Sequence, residues 1–381
     1  MMITADRLQS VKEYYFSKKL REVRGLVNEG RPVINMGIGS PDLPPSKEAI
    51  TTLQNVLGDS KAHQYQSYQG LPELREAMSN FYTDRFGVQV DPTNELLPLM
   101  GSKEGIMHIS LAFLNPGDGV LIPNPGYPTY TSVTNLVGAR PVMYDLKAEN
   151  GWLPDIKALG QMDLSQVKLM WISYPNMPTG ARIDEVRMQE LIAFAKEKEL
   201  LIINDNPYSF VLNDRPTSIL QVKGAKDVAL ELNSLSKTFN MAGWRVGMVL
   251  GSAEHITAVL KIKSNMDSGM FYGIQKGAIT ALQSGMDWFR GLDEEYEQRR
   301  ALMFKLVDKI GATYDENTAG MFVWAKLPDG AKSSEEFIDN LLYEKNIFIA
   351  PGTIFGSNGE GYIRFSLCVK EAKIKEAIER F

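Results

Sequence analysis

From about residue 95 the chain alternates short apolar runs with amphipathic stretches of helical length, and this alternation limits the possible folds more than any other feature. The apolar runs are LLPLM at 96, VLIP at 120, PVMYD at 141, LMWIS at 169, LLIIND at 200, VALELN at 228 and RVGMVLG at 245. Strands that alternate with helices form a mostly parallel sheet covered by helices on both faces. The sequence therefore predicts an α/β domain.

The pattern changes after about residue 280, where a long charged helical stretch precedes short strands at MFVWAKL, IFIAPG and YIRFSL. This part predicts a smaller α+β unit. Near the other end, VINMGIGSPDLPP is dense in Gly and Pro and is typical of a loop that crosses between units. We expect an N-terminal arm and part of the small domain at 1–45, a large domain at 46–280 and a small C-terminal domain at 281–381.

Composition excludes several classes of protein. Lys and Arg number 41 against 46 for Asp and Glu, so the net charge is −5 and a nucleic-acid surface is not expected. The one cysteine, Cys368, allows neither an intrachain disulfide nor a thiolate metal site. The sequence shows neither a signal-peptide pattern nor a long apolar run, so we expect a cytoplasmic protein without a membrane span.

Polar residues follow several of the predicted strands, at the edge where ligands bind in open parallel sheets. Asp205 ends LLIIN, Asn176 follows LMWISYP, and the GSKEG loop follows LLPLM and begins a helix. Lys237 follows VALELN, and Arg245 lies eight residues further on. Each feature also has an ordinary structural interpretation, such as a capped turn at Ser102 or a salt bridge of Arg245. Together they fit pyridoxal 5'-phosphate (PLP), which needs a lysine, a carboxylate for its ring nitrogen and groups that bind its phosphate.

The stretch SLSKTFNMAGWRVG, residues 234–247, resembles the lysine signature of the class I and II aminotransferases, which are fold type I PLP enzymes. A serine lies three residues before the lysine and an arginine eight residues after it. The resemblance implies that Lys237 forms a Schiff base with PLP and serves as acid and base, and that Ser234, Ser236 and Arg245 bind the cofactor.

Further segments match the family in the same order along the chain. YQSYQGLPELREAM resembles the segment whose tyrosine, here Tyr65, reaches the phosphate of the neighbouring subunit's cofactor. GSKEGI resembles the phosphate loop and implicates Ser102 and Lys103, and NPGYPTY places Tyr127 where an aromatic ring stacks on the pyridine. Lys103 has two interpretations, either a contact with an acidic substrate side chain or a solvated lysine at a helix start.

The remaining matches concern the ring nitrogen and the substrate. NDNPYSF implies that Asp205 binds the pyridinium nitrogen and Tyr208 the ring hydroxyl. YIRFSL implies that Arg364 binds the substrate α-carboxylate, and GIGSPD places Gly39 in the loop that closes over it. The segment SNMDSGMFYGIQ, residues 264–275, resembles the LL-diaminopimelate aminotransferase-like branch.

One position departs from the family pattern. The family has N-P-T-G, and its asparagine binds the ring hydroxyl of the cofactor. This chain has Met177 followed by PTG, so a methionine stands at the position of that asparagine. Asn176, one residue earlier, is the candidate replacement, and that role requires a shift of the loop.

The resemblance implies a seven-stranded, mostly parallel sheet, a small α+β domain and a homodimer with composite active sites. It also implies transfer of an amino group from an L-amino acid to a 2-oxo acid, with 2-oxoglutarate as the expected acceptor. Two alternatives stay open at this point. A C–S β-lyase or another α-carbon PLP enzyme uses the same residues, and a PLP-binding regulatory module needs a further basic domain.

Overall fold

The computed structural model describes residues 4, 5, 7, 8 and 15–381. The predicted N-terminal arm includes residues 1–3, 6 and 9–14, which lie outside the described residues. The β-strands are β1 Ile34–Asn35, β2 Leu96–Leu99, β3 Gly119–Asn124, β4 Arg140–Asp145, β5 Val167–Ile172, β6 Leu201–Asp205, β7 Ala229–Ser234, β8 Gly247–Leu250, β9 Thr313–Tyr314, β10 Phe322–Lys326, β11 Ile347–Phe348, β12 Ala350–Pro351 and β13 Tyr362–Ser366.

The α-helices vary widely in length and lie mostly between these strands. They are α1 Tyr15–Asn28, α2 Lys47–Val56, α3 Pro72–Phe86, α4 Ser102–Phe113, α5 Pro128–Leu136, α6 Ile156–Gly160, α7 Glu185–Lys198, α8 Leu235–Thr238, α9 Ala253–Lys263, α10 Tyr272–Leu282, α11 Met286–Ile310, α12 Ser334–Lys345 and α13 Glu371–Glu379.

The seven predicted strands form one seven-stranded sheet in the order β2-β8-β7-β6-β5-β3-β4. All neighbours in it are parallel except β8, which is antiparallel to both β7 and β2. Between β7 and β8 the chain forms only the four-residue helix α8, and a crossover to a parallel strand normally takes a longer helix. The predicted mostly parallel α/β sheet is therefore confirmed.

Alternate residues of the central strands enter separate hydrophobic cores on the two faces of this sheet. In β5, Leu169 and Trp171 pack in one core, whereas Met170 and Ile172 pack in the other. Successive side chains of a strand point to opposite faces, so a strand covered on both faces has to be apolar at every position. This explains why the sequence shows uninterrupted apolar runs rather than an alternating pattern.

The second unit contains the four-stranded antiparallel sheet β12-β13-β10-β9. The N-terminal segment joins it, because β1 pairs with β11 in parallel. Val23, Ile34 and Met36 share a hydrophobic core with residues of β10, α12 and β13. The two ends of the chain are thus packed together beside the large sheet, while the domain boundaries at 45 and 280 stay predictions.

Among the described residues, no helix is both long and apolar enough to cross a membrane.

Candidate active site

A cavity of about 740 Å³ lies where the carboxyl ends of the sheet strands meet the second unit. Its lining includes every residue predicted for the site except Asn176 and Tyr65. The predicted residues that line it are Gly39, Ser102, Lys103, Tyr127, Asp205, Tyr208, Ser234, Ser236, Lys237, Arg245 and Arg364. Residues from distant parts of the sequence therefore converge on one concave surface, which is the usual arrangement of a ligand site.

Lys237 lies in α8, directly after strand β7, and points into the cavity. Its amine donates a hydrogen bond to the carbonyl oxygen of Gly39, with 2.6 Å between the two atoms. Burial lowers the pKa of this amine, and the positive charges of Arg364 and Arg245 act in the same direction, while Cys368 opposes them. A lowered pKa increases the fraction of neutral amine, which is the form that attacks a carbonyl and accepts a proton.

Asp205 is the last residue of β6 and is 5% exposed. Its Oδ2 accepts a hydrogen bond of 2.8 Å from the hydroxyl of Tyr130, whereas its Oδ1 has no hydrogen-bond partner among the described residues. Burial raises the pKa of the carboxyl to about 7. An ionised carboxylate in this position needs a second donor, and a cationic N–H group would meet that need.

Two tyrosines form the wall beside Asp205. Tyr127 precedes α5, and its ring meets that of Tyr130 edge-on, with 5.5 Å between the ring centroids. Tyr130 in turn stacks on Trp171 of β5 at 4.8 Å. Our sequence interpretation missed Tyr130. The signal was available, since residues three apart at the start of a helix lie on the same face, and Tyr127 had already been placed at the site.

The N-terminus of α4 forms the end of the cavity that can bind an anion. Ser102 begins this helix, and the preceding Gly101 has a φ of +90°, which favours glycine. A Cβ at Gly101 would overlap the guanidinium of Arg245, so the glycine lets that guanidinium approach the loop. Arg245 Nη1 donates a 2.9 Å hydrogen bond to the carbonyl of Ala242. A helix N-terminus beside a guanidinium, with Ser234 and Ser236 nearby, suits a phosphate group.

Arg364 lies in the middle of β13, at the opposite side of the cavity, and is 5% exposed. Its Nη2 donates a 2.8 Å hydrogen bond to the carbonyl of Gly37, and its Nη1 lies 3.3 Å from the sulfur of Met177. The guanidinium carbon lies 4.0 Å from the ring centroid of Phe322 and 4.6 Å from that of Phe355. These contacts hold the guanidinium at the wall of the cavity, and the planar fork of a guanidinium suits a carboxylate.

Asn176 is buried but does not line the cavity. Its amide nitrogen donates to the carbonyl of Ser173 at 3.2 Å, and its Oδ1 accepts from the backbone N–H and the hydroxyl of Thr179 at 3.3 and 2.8 Å. The asparagine thus stabilises the turn, and Met177 takes the position on the cavity wall. The sequence alone did not reveal which of the two neighbours faces the cavity.

Tyr65 also lies outside the cavity, and the residue is 90% exposed. The segment that carries it packs against the segment that resembles the LL-diaminopimelate aminotransferase-like branch. At Gly269, whose φ is +88°, an added Cβ would lie 2.5 Å from the carbonyl oxygen of Gln66. Two sequence features that we predicted independently are therefore adjacent in the fold.

The apolar residues at the cavity that were missed from the sequence include Phe16, Met177, Phe322 and Phe355. Met177 had been noted only as a departure from a pattern, and the three phenylalanines resemble any core residue at the sequence level. They come from α1, from β10 and from the segment after β12, so no local spacing connects them.

A family model described as aminotransferase class I and II matches residues 31–381. The LL-diaminopimelate aminotransferase of Nitratidesulfovibrio vulgaris is 40% identical over 379 residues, covering 99% of this chain and 97% of that protein. The enzyme of the same name from Halothermothrix orenii is 40% identical over 381 residues, covering 100% and 98%. Among solved structures, substrate-bound BacF of Bacillus subtilis is 35% identical, with a TM-score of 0.94 and coverage of 100% and 97%.

Proposed function

The chain belongs to the class I and II aminotransferase family and is a transaminase, and we propose that it moves the amino group of an L-amino acid to 2-oxoglutarate with PLP bound at Lys237. The observation that carries the proposal is the pairing of a part-buried amine and a buried carboxylate in one cavity. These are a lysine whose pKa is lowered by burial and a carboxylate, Asp205, with an oxygen that has no hydrogen-bond partner among the described residues.

The residues fit the cofactor at both of its ends. Asp205 Oδ1 would accept a hydrogen bond from the protonated ring nitrogen, which supplies the donor that this oxygen needs. At the other end, the N-terminus of α4 and the guanidinium of Arg245 would hold the phosphate. Tyr127 would limit the tilt of the ring, and Tyr208, whose hydroxyl side chain lines the same cavity, would serve the ring hydroxyl.

When bound, PLP supplies a ring that accepts the electrons released as the Cα–H bond of the amino acid breaks. Lys237 Nζ would first hold the cofactor and, once displaced by the substrate amine, would carry the proton away from Cα. That transfer needs a neutral amine, and burial favours the neutral form. The hydrogen bond from Nζ to Gly39 connects this lysine to the loop that we expect to close over the substrate.

Arg364 would bind the substrate α-carboxylate through its guanidinium fork. The carbonyl of Gly37 and the rings of Phe322 and Phe355 already hold the guanidinium in place, so little freedom is lost when the substrate binds. A carboxylate held there would set the orientation of the bonds at Cα of the substrate. Lysine at this position would keep the charge and lose the fork.

We propose a homodimer with composite sites, in which Tyr65 reaches the cofactor phosphate of the neighbouring subunit. The 90% exposure of Tyr65 supports this assembly because other large exposed side chains lie in the adjacent segment, and clustered exposed apolar surface marks an interaction site. Met266 and Phe271, in the adjacent segment, are also exposed, at 61% and 39%. Light scattering should give twice the chain mass, and a fully active monomer would contradict the proposal.

The test of the reaction is an absorption spectrum of the purified protein with PLP, before and after single L-amino acids are added without an oxo acid. A transaminase converts the bound cofactor to its aminated form and releases one equivalent of the 2-oxo acid. LL-diaminopimelate belongs among the donors tested, since relatives of the chain are named for it.

Two variants complete the test. Lys237→Ala should abolish the spectral conversion, whereas Lys261→Ala, at an exposed lysine of α9, should leave it intact. Steady release of pyruvate and ammonia without an oxo acid would instead favour a β-lyase. Conversion by Lys237→Ala at the rate of the unaltered protein would show that this lysine has no role.

A further inference from the structure

The loop before α4 is closely packed at the end of the cavity that suits a phosphate. A Cβ at Gly101 would overlap the guanidinium of Arg245, and a Cβ at Gly247 would lie 2.7 Å from the backbone nitrogen of Ser102. The loop therefore contacts both the start of β8 and the guanidinium. A shift of the loop would displace the N–H groups and the arginine that we expect to bind the phosphate.

Glu104 holds this loop by a hydrogen bond to its backbone. It is the third residue of α4, and its Oε2 accepts a 2.6 Å hydrogen bond from the N–H of Met100, the residue before Gly101. A hydrogen bond to an ionised acceptor is roughly twice as strong as one between neutral groups. Ser102 and Lys103 line the cavity, whereas Glu104 does not. The carboxylate therefore acts on the loop from behind the cavity wall.

The first N–H groups of α4 stay available to a ligand. Such groups have no partner within their own helix. In α2 and α9 the serine before the helix accepts a hydrogen bond from one of them, that of Ala49 and that of His255. The corresponding residue of α4 is Gly101, which makes no such bond. Glu104 binds the N–H of Met100, which lies outside the helix, so it does not occupy these donors.

A buried polar cluster supports the carboxylate of Glu104. His108 lies one turn further along α4 and is 1% exposed, and its Nε2 lies 3.3 Å from Oε1 of Glu104. A carboxylate oxygen of Asp267 lies within 4.8 Å of both side chains. Lys263 Nζ donates to both oxygens of Asp267 at 2.8 Å, so the cluster contains a cation of its own. These neighbours restrict the rotation of Glu104 and keep its other oxygen on Met100.

We propose that Glu104 is a positioning residue for the cofactor phosphate. Its bond to Met100 holds the loop so that the first N–H groups of α4 and the guanidinium of Arg245 face the same phosphate. The proposal rests on the proposed function, because it takes this loop as the phosphate site. It adds a residue that does not line the cavity and whose charge has the same sign as the phosphate.

A purely structural role of Glu104 predicts a different outcome. A glutamate at the third position of a helix often accepts a hydrogen bond from the backbone at the cap and stabilises the helix. Loss of that stabilisation would lower the free energy of unfolding and would affect all cofactor analogues alike. A positioning role predicts a further loss that is confined to ligands with a phosphate.

The first experiment titrates the cofactor-free protein with PLP and with pyridoxal, which lacks the phosphate, and follows binding by absorption. We expect Glu104→Ala to weaken PLP binding about tenfold and pyridoxal binding less than about twofold. Glu104→Gln keeps an oxygen that can accept from Met100, so its PLP affinity should stay within about threefold of the unaltered protein. Equal losses for PLP and pyridoxal, or no loss for PLP, would overturn the proposal.

Glu95→Ala is the matched control. Glu95 Oε2 accepts a 2.8 Å hydrogen bond from the backbone N–H of Asp91, likewise four residues earlier, and Glu95 does not line the cavity. We expect this variant to lose stability but to keep the ratio of PLP to pyridoxal affinity. The same change of ratio in Glu95→Ala would contradict the role of Glu104.

A shorter side chain separates the reach of Glu104 from its charge. Glu104→Asp keeps the negative charge but draws the oxygen away from the N–H of Met100. We expect the same loss of about tenfold, specific to PLP, as in Glu104→Ala. This variant also decides the question if Glu104→Ala does not fold. Full PLP affinity in Glu104→Asp would show that the bond to Met100 is not needed.

The second experiment separates this proposal from the proposed function. Isothermal calorimetry measures the binding of inorganic phosphate to the cofactor-free protein, which needs no reaction at Lys237. We expect Glu104→Ala to weaken phosphate binding about tenfold and Glu95→Ala to leave it unchanged. If phosphate responds in this way but no amino acid converts the cofactor, the transaminase assignment fails and the role of Glu104 stands. If amino acids convert the cofactor but Glu104→Ala binds phosphate like the unaltered protein, transamination stands and the positioning role fails.

Discussion

Two buried carboxylates on neighbouring strands of the large sheet differ in the number of hydrogen-bond donors around them. Glu231 of β7 is fully buried, and each of its oxygens accepts two hydrogen bonds. The donors are the Tyr82 hydroxyl at 3.0 Å, Asn204 Nδ2 at 3.2 Å, Asn206 Nδ2 at 3.3 Å and the Ile219 backbone N–H at 2.9 Å. The chain itself therefore supplies the hydrogen-bond donors that this carboxylate needs.

Asp205 of β6 lies one register position further along, since Asn204 pairs with Glu231 and Asp205 with Leu232. It accepts one hydrogen bond, from Tyr130, and its second oxygen has no partner among the described residues. Burial raises the pKa of both carboxyls, to about 7 for Asp205. A buried carboxylate whose hydrogen-bond donors all come from the chain stabilises the fold. A buried carboxylate that lacks such donors indicates a ligand site.

The largest effect should come from Asp205→Asn, with Glu231→Gln as the matched control. The amide cannot stabilise a protonated ring nitrogen, so we expect kcat/KM to fall about 10³-fold, equivalent to about 4 kcal/mol. The stability of the cofactor-free protein should stay the same or rise, because a poorly solvated charge is removed. A variant that keeps near-full activity would show that Asp205 does not serve the cofactor.

A pH effect of similar size should appear in the cofactor-free protein. The carboxyl of Asp205 has a pKa of about 7 in the folded state and 3.8 as the ordinary value, so the folded state holds its proton more tightly. Its contribution to stability is full below about pH 4 and is lost as the pH rises to about 7, by up to about 4 kcal/mol.

The measurement is urea unfolding at several pH values, with Asp205→Asn as the reference. The change with pH in the difference between the two free energies of unfolding isolates the contribution of the aspartate. This change with pH should be smaller when PLP is bound, since a cationic partner favours the ionised carboxylate. A difference that does not change with pH would contradict an Asp205 pKa near 7.

Glu231→Gln should give the opposite pattern to Asp205→Asn. An amide offers one oxygen where the site needs two, so its NH₂ would face N–H donors. We expect a loss of about 2–4 kcal/mol in the free energy of unfolding. The folded fraction should keep its kcat, because Glu231 does not line the cavity. Unchanged stability, or a specific loss of kcat, would remove the contrast between the two carboxylates.

The smallest effect should come from Tyr130→Phe, which removes the hydrogen bond to Asp205 Oδ2. That bond lowers the pKa of the carboxyl, so its loss should raise the pKa further and weaken PLP binding about fivefold, or about 1 kcal/mol. Fluorescence titration with PLP would measure the change. Tyr144→Phe, at a buried tyrosine whose hydroxyl bonds to the Trp171 carbonyl, is the control. Equal effects on PLP affinity in both variants would show that Tyr130 acts only through packing.

Much of the fold and part of the site could be predicted from the sequence because their signals are local. The apolar runs marked the strands of the large sheet, since strands covered on both faces have to be apolar throughout. The spacing of Ser234, Lys237 and Arg245 is likewise a short-range pattern. So is the placement of Asp205 and Tyr208, three residues apart at the end of one strand.

Only the tertiary structure decided which distant residues meet. Phe16, Phe322 and Phe355 surround Arg364 because β1 pairs with β11 and brings the N-terminal segment to the second unit. Whether Asn176 or Met177 faces the cavity depends on three hydrogen bonds within a turn. The contrast between Asp205 and Glu231 depends on donors up to 149 residues away. Periodicity and spacing report on neighbours along the chain, whereas the environment of a buried charge is set by long-range packing.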